Sequence, residues 1–277
     1  MNAFSIAHSL GRKFVMNKPE RCTLSIRLAN SLRNLVITAI IDRLVIWKKG
    51  QAAQTIDLPS HKVTENRRIW NTYDWSKRGE EWTLDAKLYK GIDPDKWKET
   101  VINEMMLKYI KNGSTILEIG IGAGRWSEVL QRVGGRVILT DISQKCIEIC
   151  KDRFAYAHNI EYHLIEERLD FINDNTIDGI WSYDVFVHIN PSDIEKYISD
   201  FGRILKPGAY AIIHHSNMDL REKSTREKIS NVTKGLRSYM SASVFEKWIQ
   251  RYGMQIIEQN YTLSHIPGDV ISVFTKP

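Results

Sequence analysis

Residues Ser114 to Asp141 read STILEIGIGAGRWSEVLQRVGGRVILTD. An apolar run, Ile116, Leu117 and Ile119, leads into three glycines spaced Gly120-x-Gly122-x-Gly124; a helical pattern follows, and a second apolar run, Val137 to Leu139, stops at Asp141. The order is strand, glycine turn, helix, strand, acid. Glycines let backbone approach a ligand with no Cβ in the way, and a helix opening after them points amide donors at that ligand. An acid about 20 residues beyond the turn stands where a doubly wound sheet receives the ribose hydroxyls of a nucleotide.

Dehydrogenases space these glycines as GxGxxG, whereas this turn reads GxGxG and carries Glu118 two residues ahead of Gly120. In both respects the segment resembles the S-adenosylmethionine site of class I methyltransferases. The resemblance implies that Gly120, Gly122 and Gly124 pass the methionine and ribose part of the cofactor, and that Asp141, with Ile142 beside it, takes the ribose hydroxyls. Glu118 is the family's motif acid and supports the loop. The implied fold is α/β, a Rossmann-like doubly wound seven-stranded sheet with a C-terminal antiparallel hairpin, preceded by a helical N-terminal segment.

The rest of the chain keeps this register. Ser143 caps a helix running to about Ala157, Ile160 to Ile165 is a third strand, Ile177 to Tyr183 a fourth, and Asp193 to Leu205 a helix stopped by Lys206-Pro207-Gly208. Ala209 to His214 is a fifth strand, which the resemblance places after such a turn. Ser243 to Tyr252 is a helix broken at Gly253, and the strands Gln255 to Leu263 and Val270 to Thr275 are joined through Pro267-Gly268, a closing hairpin that nucleotide dehydrogenases lack. A helix from about Asp95 to Asn112 delivers the chain to the glycine turn.

At 277 residues the chain holds one substantial core and an additional segment. Residues 1–50 carry nine Lys and Arg against two acids, and the remaining residues carry 30 against 31, so the net charge of +6 belongs to the N-terminal segment. A nearly neutral remainder argues against nucleic acid as substrate, because phosphate neutralisation needs a basic track beside the site. Residues 1–60 are read as a basic, amphipathic segment and linker, and residues 61–277 as the methyltransferase domain with an aromatic-rich cap over 61–112. Polar positions recur at helical spacing from Arg27 to Trp47, which suits packing in a homodimer or peripheral attachment to a membrane through residues 1–50. The apolar stretch Leu35 to Trp47 contains Asp42 and Arg43 and is too short to span a bilayer. No secretory signal is read, and Cys146 and Cys150, four apart on one helix, read as core residues of a reducing compartment rather than a metal pair. The expected location is the cytoplasm, including the inner face of the membrane.

Methyl transfer from a sulfonium is an in-line displacement at carbon, so an enzyme for it aligns the acceptor and excludes water. A base matters where the acceptor must lose a proton. Candidates lie past the carboxyl ends of the fourth and fifth strands: Asp184 and His188 in Ser182-Tyr-Asp184-Val-Phe-Val-His188, and His214 and His215 ahead of Ser216. Alternation along a strand turns His214 and His215 to opposite faces. Asp184 is placed against cofactor or acceptor. After the third strand Glu166, Glu167 and Arg168 compete for the adenine, with Glu167 chosen; no metal is assigned. The two histidine-bearing stretches resemble bacterial methyltransferases of sugar and polysaccharide O-methylation, which implies a glycan or other small-molecule hydroxyl acceptor. The alternatives are a small-molecule or protein N-methyltransferase, or a non-catalytic binding protein on the same fold.

Overall fold

The computed structural model describes residue 55, residues 57–218 and residues 237–277. The basic, amphipathic segment with its membrane and dimer expectations therefore lies outside the described residues. Among those described, no helix is long and apolar enough to cross a membrane.

Seven strands form one sheet: β1 (Thr115–Ile119), β2 (Arg136–Asp141), β3 (Ile160–Leu164), β4 (Ile177–Ser182), β5 (Leu205–Ser216), β6 (Gln255–Asn260) and β7 (Asp269–Thr275), in the order β3-β2-β1-β4-β5-β7-β6. The pairs from β3 through β5 are parallel, while β7 runs antiparallel between β5 and β6. The order reverses between β1 and β4, the switch point at which open α/β sheets take ligands in a crevice outside the carboxyl ends of the strands.

Strand alternation divides the core into two layers. Ile116, Val137, Leu139, Trp181 and Ile212 pack into one layer, and Leu117, Ile119, Ile138, Ile180 and Ile213 into the other. Both faces are apolar because helices cover both, as a parallel sheet requires. The first layer receives α5 (Gln144–Arg153), whose Cys146 and Cys150 are buried free thiols. The second receives α6 (Pro191–Ile204) and α7 (Ala242–Arg251); Ile194, Tyr197, Ile198 and Phe201 sit at helical spacing on one buried stripe of α6. Ser143 and Ser241 cap α5 and α7, their hydroxyls accepting from the amides of Cys146 and Val244.

Two boundaries differ from the sequence reading. The helix expected from Asp95 to Asn112 is α3 (Pro94–Val101), followed by a π turn at Ile102–Met106 and a last turn at Leu107–Tyr109. It ends early because Ile110 is extended and buried against Gly179, where a Cβ would meet its side chain at 3.1 Å. The fifth strand begins at Leu205 rather than Ala209: Leu205 pairs with Ile177, the register then shifts, and pairing resumes at Gly179 with Tyr210. Pro207 has no amide to donate and Gly208 has φ 78°, so the lysine, proline and glycine form an irregularity inside the strand rather than a turn before it.

Ahead of α3 lie α1 (Val63–Thr72) and α2 (Leu84–Lys90), both within the stretch read as an aromatic-rich cap. The helix α4 (Ser127–Val133) follows the glycine turn.

Candidate active site at the carboxyl ends of the strands

The three glycines have φ of 73°, 53° and 85°, a left-handed backbone that other residues adopt only under strain. A Cβ at Gly120 would fall 2.3 Å from Val185 of the β4 loop, and one at Gly124 would fall 2.7 Å from Phe154. Asp141 is buried at the end of β2, where its Oδ2 accepts from the Gly122 amide at 3.0 Å and its Oδ1 from the Ser143 amide at 2.8 Å. The glycine turn and the acid are thus one hydrogen-bonded unit. Burial pushes the Asp141 carboxyl up to about 6 against these amide bonds. Glu118 is also buried, accepts from the Ser127 hydroxyl at 2.6 Å, and is pushed by burial up to about 8. It supports the turn from beneath, bound to the first turn of α4.

The helix α1 bridges the crevice. Asn66 donates to the His188 carbonyl at 2.8 Å on the β4 side, while Arg67 donates to the Ile142 carbonyl at 3.2 Å and pairs with Glu166 at 3.1 Å on the other. Asn71 accepts from the Ser143 hydroxyl at 2.8 Å. Over the turn, Trp70, Tyr73, Trp75 and Trp82 pack with ring centroids between 4.9 and 6.2 Å apart, and Trp75 stands 3.0 Å from where a Gly122 Cβ would be. These aromatics roof the glycine turn.

Beyond β4 the chain turns at Asp184, which has φ 62°. A non-glycine residue in that region signals local strain, and strain of this kind concentrates at functional sites. Asp184 Oδ2 accepts from Arg125 at 2.7 Å; its Oδ1 lies 3.4 Å from His214 Nδ1 and 3.3 Å from His265 Nε2. Burial works to raise the Asp184 carboxyl, yet His265, His214 and Arg125 together hold it well below the usual carboxylate range. Burial in turn pushes His265 down to about 3 despite its acidic neighbour. Behind His214 stand Ser264, at 3.1 Å from Nε2, and Asp269, paired with Arg237 at 3.1 Å.

Strand alternation separates the two adjacent histidines. His214 stacks on Tyr183 at 4.2 Å within this cluster, whereas His215 stacks on Phe245 at 4.0 Å in the opposite layer. Both His215 ring nitrogens have partners there, the Ser216 carbonyl and the Ser272 hydroxyl, and burial takes its pKa down to about 3. His215 is thus a core residue and leaves the candidate catalytic set. His188 packs edge-on to Trp70 beneath α1, apart from the cluster. Glu167 faces Lys196 at 2.6 Å and Glu166 faces Arg67, so of the two acids after β3 it is Glu166 that α1 ties to the Ile142 side of the crevice.

The sequence reading missed Arg125, His265 and Asp269. The first follows the third glycine directly and was masked by it. The others become visible only through the register that sets Asp269 opposite Ser216 and carries the β6–β7 loop back to the end of β5.

Residues 116–208 match the family described as methyltransferase domain. Demethylmenaquinone methyltransferase of Tropheryma whipplei (strain Twist) is 32% identical over 101 residues, 36% of this chain and 41% of the relative. Phosphoethanolamine N-methyltransferase 1 of Triticum aestivum is 26% identical over 156 residues, 54% of this chain and 30% of the relative. The chain thus spans less than half the length of these curated relatives. The N-methyltransferase NodS of Bradyrhizobium japonicum, solved with S-adenosyl-L-homocysteine, shares the fold at a TM-score of 0.52 and 15% identity, over 78% of this chain and 96% of that one. Residues 116–208 thus match the methyltransferase domain family, and the described residues have the Rossmann-like α/β fold that this solved methyltransferase shares.

Proposed function

We propose that the protein transfers a methyl group from S-adenosylmethionine to a hydroxyl of a small molecule, with a saccharide or glycan as the first acceptor class to test. The observation that carries the reading is the joined unit of glycine turn and buried Asp141, with the Asp184 cluster next to it across Val185. In this reading Gly120 and Gly122 give the cofactor room against the backbone and Asp141 receives the ribose hydroxyls. The bound cofactor supplies an electrophilic methyl group on a positively charged sulfur.

The chain's own residues then align and shield. The aromatic roof of Trp70, Tyr73, Trp75 and Trp82 keeps water from the reacting centre, which strengthens every polar interaction inside it. Asp184, with 15% of its side chain accessible, is the reachable member of its cluster, while His214 and His265 are buried behind it. A carboxylate held at low pKa is a weak base and a strong hydrogen-bond acceptor. Asp184 therefore orients the acceptor by taking its hydrogen bond, and Arg125 on Oδ2 fixes the carboxylate in place. This reading differs from the expectation of a histidine base among His188, His214 and His215.

A nitrogen acceptor is the second reading. It is favoured by the names of relatives, a phosphoethanolamine N-methyltransferase and the NodS N-methyltransferase, and an Asp184 carboxylate attracts an ammonium as readily as a hydroxyl. Incubation with 13C-methyl-labelled cofactor and panels of saccharides, phenols and amines separates the two by the shift of the product methyl. The test comes after calorimetry with S-adenosylhomocysteine, and no binding by the intact chain would remove both readings.

A further inference from the structure

We propose that Asp184, His214 and His265 form a binding site for one divalent transition-metal ion of the Zn2+, Fe2+ or Mn2+ type. The three come from separate segments, the β4 loop, β5 and the β6–β7 loop, and their nearest ligand atoms lie within 4.8 Å of one another. Two imidazoles and one carboxylate are a ligand set suited to such ions.

The hydrogen-bond network fixes where the protons are. Ser264 donates its hydroxyl proton to the Ile266 carbonyl at 2.8 Å, so toward His214 Nε2, 3.1 Å away, it acts as acceptor. His214 therefore carries its proton on Nε2 and presents a bare Nδ1, which accepts from the Asp184 amide at 3.2 Å. On His265, Nδ1 lies 3.5 Å from the Tyr183 hydroxyl, whose own proton goes to the Leu263 carbonyl at 3.3 Å. That assigns the His265 proton to Nδ1 and leaves Nε2 bare. Asp184 Oδ1 sits between these two bare nitrogens, is buried, and has no hydrogen-bond partner. The His265 Nε2 lone pair and Asp184 Oδ1 thus face each other at 3.3 Å with no proton between them, an arrangement that repels unless a cation is present, and His214 Nδ1 completes the ligand set by exchanging its bond from the Asp184 amide for the ion.

The surroundings suit a metal centre. Arg125 holds Oδ2 and leaves Oδ1 to bind in monodentate fashion, Ser264 fixes the His214 tautomer, and the stacked Tyr183 fixes its ring plane. Outer contacts of this kind orient metal ligands. Both imidazoles and Asp184 Oδ1 are buried, and the 15% of the Asp184 side chain that is accessible marks the side from which a further ligand would reach the ion, as a catalytic site requires. The role in catalysis rests on the proposed O-methylation; cation binding does not. In that role the acceptor oxygen binds the ion and releases its proton to solvent, the oxygen–methyl bond forms, and the sulfur–methyl bond breaks with its electron pair going to sulfur.

The purified full chain, stripped with chelator, is dialysed against Zn2+ or Co2+ and its metal content measured, with S-adenosylhomocysteine calorimetry on the same samples to report the fold. We expect one equivalent bound, and at least about a hundredfold weaker binding in His265→Gln and in Asp184→Asn with cofactor affinity retained. Should either variant fail to fold, the Co2+ absorption spectrum of the wild-type chain decides, because two nitrogen ligands change it from that of the hydrated ion. A wild-type chain that binds S-adenosylhomocysteine but neither Zn2+, Co2+ nor Mn2+ overturns the proposal and makes the central cation a proton on His214 or His265. Metal binding indifferent to both substitutions overturns it as well. Loss of cofactor binding with metal binding intact counts against the methyltransferase reading alone.

Discussion

Asp141 and Glu118 are two buried carboxyl groups on neighbouring strands at the glycine turn, and each has a distinct consequence. Asp141→Ala removes the acceptor of two backbone amides and, on the proposed function, of the ribose hydroxyls. Calorimetry should show S-adenosylhomocysteine binding weakened by about 1–3 kcal/mol. Glu118 titrates near 8 in the folded chain and near 4.3 when unfolded. Between those values the folded state holds a proton that the unfolded state has released, so stability falls as pH rises through that window. Glu118→Gln should therefore raise Tm at pH 8.5 and leave it nearly unchanged at pH 4; an equal shift at both would refute the burial account. Gly120 is the third case at this scale. An alanine there must hold φ near 73° with its Cβ against Val185, and urea unfolding should show a loss of about 2–3 kcal/mol. The glycines and Asp141 were legible because their chemistry is local to 28 residues. His265 was not, because nothing within its own loop marks it.

The element that sets access to the crevice is α1. Its polar contacts reach both sides, Asn66 to the β4 loop and Arg67 and Asn71 to the segment after β2, while its C-terminal end leads into the tryptophan roof. A ligand lying over the glycine turn must pass beneath or displace this helix. Asn66→Ala combined with Arg67→Ala should speed both entry and exit of S-adenosylhomocysteine by about tenfold in stopped-flow Trp fluorescence, with little change in Tm. Unchanged rates would show that α1 does not limit access. Aromatic richness in this stretch was evident from composition, while a cap over the site was an expectation drawn from the resemblance. What the composition left open was the direction of packing: the tryptophans pack on one another and on Gly122, a contact set by how α1 docks.

For the whole molecule, the charge divides into a segment of +7 and a remainder near neutrality. Each cation near an anionic membrane surface contributes about 1 kcal/mol. If residues 1–50 attach the protein peripherally, the full chain should sediment with phosphatidylserine vesicles and a chain beginning at residue 51 should not; equal, negligible pelleting of both would leave a packing or dimer role. The sequence by itself determined the α/β class, the succession of strands, the antiparallel close and the glycine–acid unit. Each is written in short-range periodicity and in residues whose backbone or capping preferences act over a few positions. Tertiary structure decided the rest. It sent His215 into the core and His214 toward Asp184, since one residue of register selects the face. It also brought Arg125 and His265 to Asp184 from 59 residues before and 81 after, because the strand order β1-β4-β5-β7 brings distant chain ends together and no local pattern encodes that adjacency.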